Sequence, residues 1–454
     1  MQSSITLPMD HVPNGDVALP AQIGKYRVLG RLGEGATSEV FLCRDDFRNR
    51  DVAVKRVRVS AVGDPMEGRY FERFFAAEAA LVGQLEHPNV VQIYDAVADP
   101  EQPYLVMEYV AGSTLRPYCR ADQLLSLEMI VEIGFKCAMA LDYVFRKGLI
   151  HRDVKPANLL VSLVNGMVTG VKVSDFGSAL NLDSDLTQVH RVGSLAYISP
   201  EQLDGGALDC RADMYSLAAV MYHLIAGRAP LDAPMHSAMV HQIYHGTPDS
   251  LVPLRAGVTE GLDAVIQRAL AKNPEDRFRT WDEFAQALAG LITNRLVPRA
   301  QAQGVLDSER FNLLRSLEFF AGFGDVELWE VVHRAKWERF HFGHALYRRG
   351  EEGRSFHVIA HGEVEVFREG QMVAQLGVGT SVGEMAYLAP SKGLRRHSTD
   401  VIVAKAATTI SFTPDTMAQL SPGARHLFDQ AFIHVLVRRL HAAHESLAHP
   451  RRIL

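Results

Sequence analysis

The sequence contains few cysteines, no long apolar run and no strong excess of charge of either sign. Its four cysteines, Cys43, Cys119, Cys137 and Cys210, are scattered through 454 residues without metal-site spacing, which favours reduced thiols in a cytosolic protein over a disulfide framework. No apolar run approaches the length of a membrane span. The formal net charge is −6, so a general affinity for nucleic acid is not expected.

The beginning of the chain has none of the features of a signal peptide. Residues 1–23 are polar, contain proline and lack a basic segment followed by an apolar core, which predicts a flexible N-terminal arm. The whole chain has 47% hydrophobic and 22% charged residues, the composition of a soluble globular protein. Its length is sufficient for two or three domains.

Two motifs at the centre of the chain combine polar side chains in a fixed order. Residues 150–160 read IHRDVKPANLL, and residues 171–177 read VKVSDFG. These runs match the catalytic-loop pattern H-R-D-x-x-x-x-N and the D-F-G sequence of protein kinases. The chain therefore resembles a protein kinase, and Lys155, two residues after Asp153, is the variant that resembles serine/threonine kinases.

This resemblance implies transfer of the ATP γ-phosphoryl group, a reaction that depends mainly on positioned charge. Asp153 would accept a hydrogen bond from the substrate hydroxyl, and Lys155 would lie beside the transferred phosphoryl group. Asn158 and Asp175 would hold Mg²⁺, or Mn²⁺ in its place, because these cations prefer oxygen ligands. A lone Asp or Asn near a turn often only caps a helix, but two ordered motifs weaken that interpretation.

A glycine-containing segment near the start is the expected cover for the ATP phosphates. Gly33 and Gly35 lie between the strand-like runs Tyr26–Leu32 and Val40–Cys43, where small residues let backbone N–H groups approach phosphates. Hairpin turns also use glycine, so this signal is weak alone. Ser38 stands where the kinase pattern has its third glycine.

Lys55, in the strand-like run VAVKRV, resembles the kinase lysine that binds the α- and β-phosphates. Its expected anionic partner is Glu78, on a helix predicted over Tyr70–Leu85, and Glu72 on the same helix is the alternative. The resemblance also implies an adenine pocket, with Met107 at its back and the backbone of Glu108 and Val110 at the adenine edge. Apolar residues would enclose the ring: Leu32, Val40, Ala53 and Leu160.

The polar segment 178–193 lacks periodicity, as expected for an activation loop. In the kinases that this chain resembles, an arginine beside the catalytic aspartate is often paired with a phosphorylated residue of this loop, so the resemblance implies such an anionic partner for Arg152. Thr187 and Ser194 are the candidates, with Thr187 preferred, and activation without phosphate stays an open alternative. The resemblance also implies three structural supports: Asp213 anchoring the catalytic-loop backbone, and Glu201 paired with Arg277.

A second pattern follows residue 306, with amphipathic helices, short glycine-broken strands and a helix predicted over Ala431–Ala443. Two of the strands flank Gly362 within Phe356–Val366. The segment resembles a cyclic-nucleotide-binding domain, whose phosphate segment would contain Gly383, Glu384, Met385 and Ala386. Glu384 would accept from the ribose 2′-OH, and the phosphate-binding arginine would be Arg396 or, in another register, would be replaced by His397.

The predicted fold class is α+β: a two-lobed protein kinase fold followed by a β-roll (cyclic-nucleotide-binding-like) domain with flanking helices. The predicted divisions are an arm at 1–23, a kinase domain at 24–292 with its N-lobe at 24–108 and C-lobe at 111–292, a linker at 293–306, the β-roll domain at 307–445 and a tail at 446–454.

The predicted function is cytoplasmic signalling by a serine/threonine protein kinase that uses ATP and Mg²⁺. Its partners would be protein substrates with Ser or Thr acceptors, and a cyclic nucleotide or a protein at the β-roll domain; neither nucleic acid nor a membrane span is expected. Two alternatives stay open. One is a nucleotide-binding scaffold whose β-roll is a protein-interaction module, and the other is a kinase of a small molecule.

Overall fold

A computed structural model gives the structure of the chain. It describes residues 19–34, 38–57, 75–76, 78–99, 102–164, 166–177, 195–205, 208–298, 306–389 and 395–448. The predictions made for Gly35, Thr187 and Ser194 lie outside these residues.

An antiparallel sheet forms the N-terminal lobe. Its strand order in the described residues is β1-β2-β3-β4-β6-β5. Alternate residues of β3 and β4, including Phe41, Cys43, Val52 and Val54, are buried on one face of this sheet, as expected where one side of a sheet covers a core. The strands are β1 (Gln22–Ile23), β2 (Tyr26–Glu34), β3 (Ser38–Asp45), β4 (Arg50–Val57), β5 (Ile93–Val97) and β6 (Tyr104–Glu108).

The first strand begins inside the stretch that the sequence predicted to be a flexible arm. Ile23 pairs with Tyr26 across a turn, and Gly24 in that turn has a left-handed φ of 53°. The Ile23 side chain is buried in a cluster with Tyr26 and Tyr104. Burial of this single side chain fixes Gln22 and Ile23 to the sheet, so the arm cannot extend to residue 23.

The helix predicted over Tyr70–Leu85 is shorter at its C-terminal end. Residues 75, 76 and 78–80 are helical, and residues 81–84 form turns. Gly83 has a φ of 70°, a left-handed conformation that ends helices. Leu81 and Leu85 are nevertheless buried, so their helix-like spacing reflects a packed turn.

The C-terminal lobe is built around α1, which packs against α3 and α6. The side chain of Ser126 accepts a hydrogen bond from the Met129 backbone N–H and caps α1. The helices of this lobe are α1 (Leu127–Arg146), α2 (Pro200–Asp204), α3 (Cys210–Ala226), α4 (His236–His245), α5 (Glu260–Ala269) and α6 (Trp281–Thr293). A small sheet of β7 (Ser113–Thr114), β8 (Leu159–Val164) and β9 (Met167–Val173) lies next to the catalytic loop.

The remaining described residues form two short helices, a twisted β-roll and further helices. In sequence order these are α7 (Asp307–Ser316), α8 (Asp325–Arg334), β10 (Lys336–Phe340), β11 (Ala345–Tyr347), β12 (Phe356–Arg368), β13 (Gln371–Leu376), β14 (Ser381–Val382), α9 (Glu384–Leu388), β15 (Asp400–Phe412), α10 (Pro414–Ala418) and α11 (Pro422–Ala448). Within the described ranges, no helix combines the length and apolarity that a bilayer crossing requires.

The two strands predicted around Gly362 are one strand, β12, with an irregular register against β15. Gly362 has a φ of 86°, and a Cβ atom there would lie 2.5 Å from the carbonyl oxygen of Ala406. The glycine therefore permits close backbone approach at a bulge without ending the strand.

The last helix, α11, begins earlier than the predicted Ala431 and continues to Ala448, into the predicted tail. Ala424, Phe428 and Phe432 repeat every four residues and are buried, so the packed face of this helix starts well before residue 431. Pro422 opens the helix, where proline is tolerated because the first N–H has no intrahelical partner. The Pro-Gly pair therefore begins a helix, although the same pair often indicates a loop.

The buried guanidinium of Arg277 joins three segments of the C-terminal lobe. It donates to both carboxylate oxygens of Glu201 at 2.6 and 2.9 Å. It also donates to the backbone carbonyls of Arg211, Ala271 and Lys272. The structure thus brings together the two residues that the sequence paired, with every donor group of the guanidinium in use.

We expect Arg277→Met to lower the free energy of unfolding by about 3–5 kcal/mol, because Glu201 would keep its charge without its partner. Arg228→Met is the control, since Arg228 and its partner Asp249 are both exposed and such pairs contribute about 1 kcal/mol or less. Urea unfolding followed by circular dichroism measures both. Equal losses in the two variants would contradict this role for Arg277.

Candidate active site

The ammonium group of Lys55 lies between two carboxylates from distant parts of the chain. Its Nζ is 3.1 and 2.9 Å from the oxygens of Glu78 and 3.0 Å from Oδ1 of Asp175. Lys55 belongs to β4, Glu78 to the helical residues 78–80, and Asp175 to the turn after β9. The structure therefore brings together the lysine and glutamate paired from the sequence, and adds the aspartate of the D-F-G motif.

Burial and mutual charge shift the pKa values of this cluster. Burial disfavours the charged ammonium, but the carboxylates of Asp175 and Glu78 outweigh it and raise the pKa of Lys55. Burial raises the pKa of Glu78 to about 7, against the opposing effect of Lys55. For Asp175, burial acts upward, yet the neighbouring Lys55 holds its pKa below the ordinary value. Burial thus makes the ionised form of Glu78 less favourable than it is for a glutamate in water.

The catalytic-loop residues converge on the carboxylate of Asp153. Lys155 Nζ donates to Asp153 Oδ2 at 2.6 Å. The amide Nδ2 of Asn158 donates to the same oxygen at 3.0 Å and to the Asp153 carbonyl at 2.8 Å. Both side-chain bonds use Oδ2, so Oδ1 is the second acceptor that Asp153 offers. Because Nδ2 of Asn158 donates to Asp153, the side-chain oxygen of Asn158 is the atom that takes no part in these bonds.

Asp213 anchors the backbone of this loop from below. Its two buried carboxylate oxygens accept from the backbone N–H groups of His151 and Arg152, both at 2.7 Å. Arg152 and Asp175 both have a φ of 65°, a left-handed conformation that costs about 1–3 kcal/mol for a residue other than glycine. Asp213 is one of the contacts that hold the strained loop, and it lies where the sequence predicted a support.

Several of the residues predicted to enclose adenine lie on neighbouring strands of the N-lobe sheet. Val40 is opposite Lys55 in the β3–β4 pair, and Ala53 is opposite Met107 in the β4–β6 pair. Gly33 pairs with Val40 in β2 and β3. Apolar side chains in a closed core would be fully buried, but here several are accessible. Those with exposed or half-buried surface are Leu32, Val40, Met107, Val110 and Leu160.

Glu108, at the end of β6, was predicted to bind the adenine edge through its backbone, but its N–H group already has a partner. Its N–H donates to the carbonyl of Gln92 at 2.8 Å, and its side chain forms an ion pair with Lys172 at 2.8 Å. The carbonyl group of Glu108, together with the backbone of Val110, is therefore the part that could meet an adenine edge.

In the β-roll domain, Glu384 is almost fully buried and forms an ion pair with Arg439. Arg439 Nη1 contacts Glu384 Oε1, and its Nη2 donates to the Ser381 carbonyl at 2.7 Å. Within the described residues, Glu384 Oε2 and the nearby Ser381 Oγ have no hydrogen bond of normal geometry. Gly383 adopts a left-handed φ of 85° at the start of α9. The buried carboxylate of Glu384 is thus held by Arg439 and lies beside Ser381.

The other predicted residues of that site have different surroundings. Ala386 is buried and packs against Gly353, whereas Met385 is 64% exposed. Arg396 is exposed and its Nη1 donates to the Gly350 carbonyl at 2.6 Å. His397 is buried, and its ring stacks on Tyr347 with 4.0 Å between centroids. Of the two register alternatives, the arginine is therefore at the surface and the histidine is in the core.

Arg439 was not predicted from the sequence, because no motif surrounds it. A signal was available in the spacing of α11. Phe428, Phe432 and Val435 face the β-roll at intervals of four and three residues, and Arg439 continues this series four residues later. A cation on the apolar side of an amphipathic helix indicates a buried anionic partner.

Comparison with known proteins agrees with this geometry. The protein kinase domain family matches residues 26–288, and the cyclic nucleotide-binding domain family matches residues 337–421. The chain is 38% identical over 303 residues to the serine/threonine-protein kinase PknB of Mycobacterium leprae, covering 64% of this chain and 46% of the relative. The PknB of Mycolicibacterium smegmatis is 39% identical, with the same coverage.

A probable serine/threonine-protein kinase of Streptomyces coelicolor is 34% identical, covering 62% of this chain and 42% of the relative. The chain spans less than half the length of these relatives. The kinase match extends over more than half of the chain and includes both lobes, and the second match follows it without overlap. The chain therefore belongs to the protein kinase family and carries a cyclic nucleotide-binding domain after its kinase domain.

Proposed function

We propose that this protein is a serine/threonine protein kinase that transfers the γ-phosphoryl group of ATP to protein hydroxyl groups. The observation that carries the proposal is a pair of polar clusters joined through the D-F-G segment, where the backbone N–H of Ser174, next to Asp175, donates to the Asn158 carbonyl at 2.9 Å. Lys55, Glu78 and Asp175 form one, and Asp153, Lys155 and Asn158 form the other. The relatives named as serine/threonine kinases support the substrate class.

Each side chain has a role that its contacts support. Lys55, positioned by Glu78, would bind the α- and β-phosphates, and Asp153 would use Oδ1 to orient the substrate hydroxyl. Lys155, already beside Asp153, would place its charge near the transferred group.

Asn158 and Asp175 are suited to hold Mg²⁺, or Mn²⁺ in its place. Both offer oxygen atoms, and Mg²⁺ is commonly held by one or two protein ligands, substrate phosphates and water. The donor set therefore fits a hard cation. When bound, the ion would supply positive charge that neutralises the phosphate oxygens.

The proposal includes activation through a phosphorylated loop residue, with Thr187 or Ser194 as the acceptor, and a cytoplasmic location. Arg152 beside Asp153 supports the first part, since phosphorylated loops pair with such cations. The four cysteines are free and buried, which suits a reducing compartment.

The proposal further assigns regulation to the β-roll domain through a cyclic nucleotide. The support is chemical: Glu384 is a buried carboxylate beside Ser381 in the short segment that starts α9, and a buried carboxylate is suited to accept from a ligand hydroxyl. Arg439 already holds one oxygen of Glu384, and Arg396 would have to leave Gly350 to meet a phosphate. Were these arginine contacts kept, the β-roll would serve as a protein-interaction module instead.

Asp153→Asn tests phosphoryl transfer. We expect incorporation of labelled phosphate into a protein substrate to fall about 10²–10⁴-fold, because the amide cannot accept the hydroxyl proton. Asp122→Asn is the matched control, since Asp122 is exposed and pairs with Arg120 on the surface. Equal incorporation in wild type and Asp153→Asn would support the scaffold alternative. Comparing peptide arrays with small hydroxyl compounds separates a protein kinase from a kinase of small molecules.

A pH profile tests the role of Glu78. Because its pKa is about 7, Glu78 is ionised above that pH and protonated below it, and only the ionised form holds Lys55 by charge. We expect kcat/KM for ATP to fall about tenfold per pH unit below pH 7. Glu78→Gln should have a lower, flatter profile. ATP itself titrates in both assays, so the measurement is the difference between the two profiles. An identical fall in kcat/KM below pH 7 in wild type and Glu78→Gln would contradict the assignment.

Titration with cyclic AMP and cyclic GMP tests the β-roll assignment. We expect one nucleotide to bind and change the phosphorylation rate, and Glu384→Gln to weaken binding about tenfold by altering the hydroxyl acceptor. Glu363→Gln is the control, because Glu363 pairs with Lys405 at the surface of the β-roll. Calorimetry that detects neither nucleotide, with no change in rate, would remove cyclic-nucleotide regulation and leave the interaction module.

A further inference from the structure

The helix α1 carries two buried charges on the face that it turns toward the C-terminal domain. Glu132 and Lys136 are 3% and 2% exposed, and their charged groups are 3.5 Å apart. Buried ionised groups require hydrogen-bond partners, because the loss of hydration is otherwise too costly. The other hydrogen-bond partners of Glu132 and Lys136 therefore identify the segment that keeps this pair buried.

Those partners come from the first turn of α7, beyond the kinase domain. Lys136 Nζ is 2.9 Å from Oδ2 of Asp307. The backbone N–H of Ser308 donates to Glu132 Oε1 at 3.3 Å, and the Ser308 hydroxyl donates to Glu132 Oε2. Both oxygens of Glu132 are thus bound by one residue of α7. Without α7, the α1 pair would lose most of its hydrogen bonds.

An aromatic cluster continues this contact. Phe135, between the two charged residues of α1, meets the edges of Phe311 and Trp329 at centroid distances of 6.1 and 6.2 Å. Phe311 and Trp329 stack at 4.8 Å, and all three rings are buried. The interface has the apolar centre of an obligate contact, with ion pairs such as Arg146–Asp325 at its rim.

Helix α1 connects this interface directly to the catalytic loop. Arg146 ends α1, and the catalytic loop starts a few residues later at Ile150. Near that end, the Tyr143 hydroxyl accepts from the backbone N–H of Glu86 at 3.0 Å, in the segment that follows Glu78. One helix therefore contacts the segment after Glu78, leads into the catalytic loop and is covered by α7 and α8.

The same contact continues into the β-roll. Phe320, which follows α7, lies 6.0 Å from Phe428 of α11, and Phe356 of β12 lies 6.0 Å from that ring. Phe356 in turn is 5.1 Å from Tyr387 of α9, the helix that begins with Glu384. Packed rings thus run from α9 to Phe320, and Phe320 belongs to the same buried apolar cluster as Phe311, Trp329 and Phe135.

We propose that α7 and α8 are an intramolecular partner of α1, and that their docking holds the catalytic loop in its working position. The docked arrangement coexists with the Lys55–Glu78 ion pair and the Asp213 anchor, so the C-terminal domain supports the kinase when docked. A ligand at the β-roll would then act by strengthening or loosening this interface. The effect on rate rests on the proposed kinase function, whereas the effect on the loop does not.

Asp307→Asn in the full chain tests this proposal, because it removes the charge that faces Lys136 with little change of shape. Asp415→Asn is the matched control, since Asp415 is also in the first turn of a helix of this domain but is exposed. Hydrogen exchange of the His151 and Arg152 amides reports the loop, and steady-state kinetics report the rate. We expect exchange about tenfold faster in Asp307→Asn than in the control, corresponding to a partial loss of the interface.

We also expect kcat to fall about tenfold while KM for ATP changes less than about twofold, because the nucleotide pocket is untouched. Adding Asp307→Asn to Lys136→Met should cause little further change, since the pair is already broken. Faster exchange in α1 with unchanged exchange at His151 and Arg152 would overturn the proposal and leave a purely structural interface. Unchanged exchange throughout would overturn it as well.

The exchange measurement separates this proposal from the proposed function. Absence of phosphoryl transfer in wild type would refute the kinase assignment, yet the catalytic-loop amides would still report whether α7 holds them. Conversely, a wild type that phosphorylates substrate, with kcat equal in Asp307→Asn and the control, would refute the coupling and leave the kinase assignment intact.

Discussion

The position of a single ammonium group constrains the whole kinase part of the chain. Lys55, in a strand, is held by Glu78 in a helical segment and by Asp175 in a turn. The three residues are far apart in sequence. The charges of the cluster depend on one another, because burial raises the pKa of Glu78 and the positive charge of Lys55 opposes that shift. Correct packing of both lobes is therefore a condition for the ion pair, and under the proposed function the ion pair is in turn a condition for binding phosphates.

Buried charge is also the means by which distant segments are fixed elsewhere. Asp213 binds two backbone N–H groups of the catalytic loop, and Arg277 binds Glu201 and three carbonyls. Such groups give less stability than apolar residues of similar size, but they tolerate few alternative arrangements. At these positions geometry matters more than stability, since a strained loop with Arg152 at a φ of 65° must be held in one conformation.

The sequence predicted the site residues that belong to contiguous motifs. Asp153, Asn158 and Asp175 are recognisable because the chemistry requires those residue types at short, fixed separations. Glu78 could be assigned from its helix and its distance to the lysine. Boundaries were less predictable, because the burial of Ile23 and the left-handed turn at Gly83 depend on contacts with segments far away in the chain.

Contacts between the domains could not be predicted from local patterns. Glu132 and Lys136 have the spacing of an ordinary surface pair on a helix, and Arg439 has no neighbouring motif. Their burial is decided by α7, α8 and the β-roll, none of which is close to them in sequence. The role of Arg396 was left undecided for the same reason: the loop before β15 can be placed in two registers until the partners of Arg396 and His397 are known.

The buried face of α1 has a consequence for how such a protein can evolve. A kinase domain that ends in open solvent can be joined to many different modules by recombination. Here, exchange of the C-terminal module would expose Phe135 and strip Glu132 of the serine that binds both its oxygens. The two parts are therefore expected to be inherited together, and changes in α1 should be accompanied by matching changes in α7.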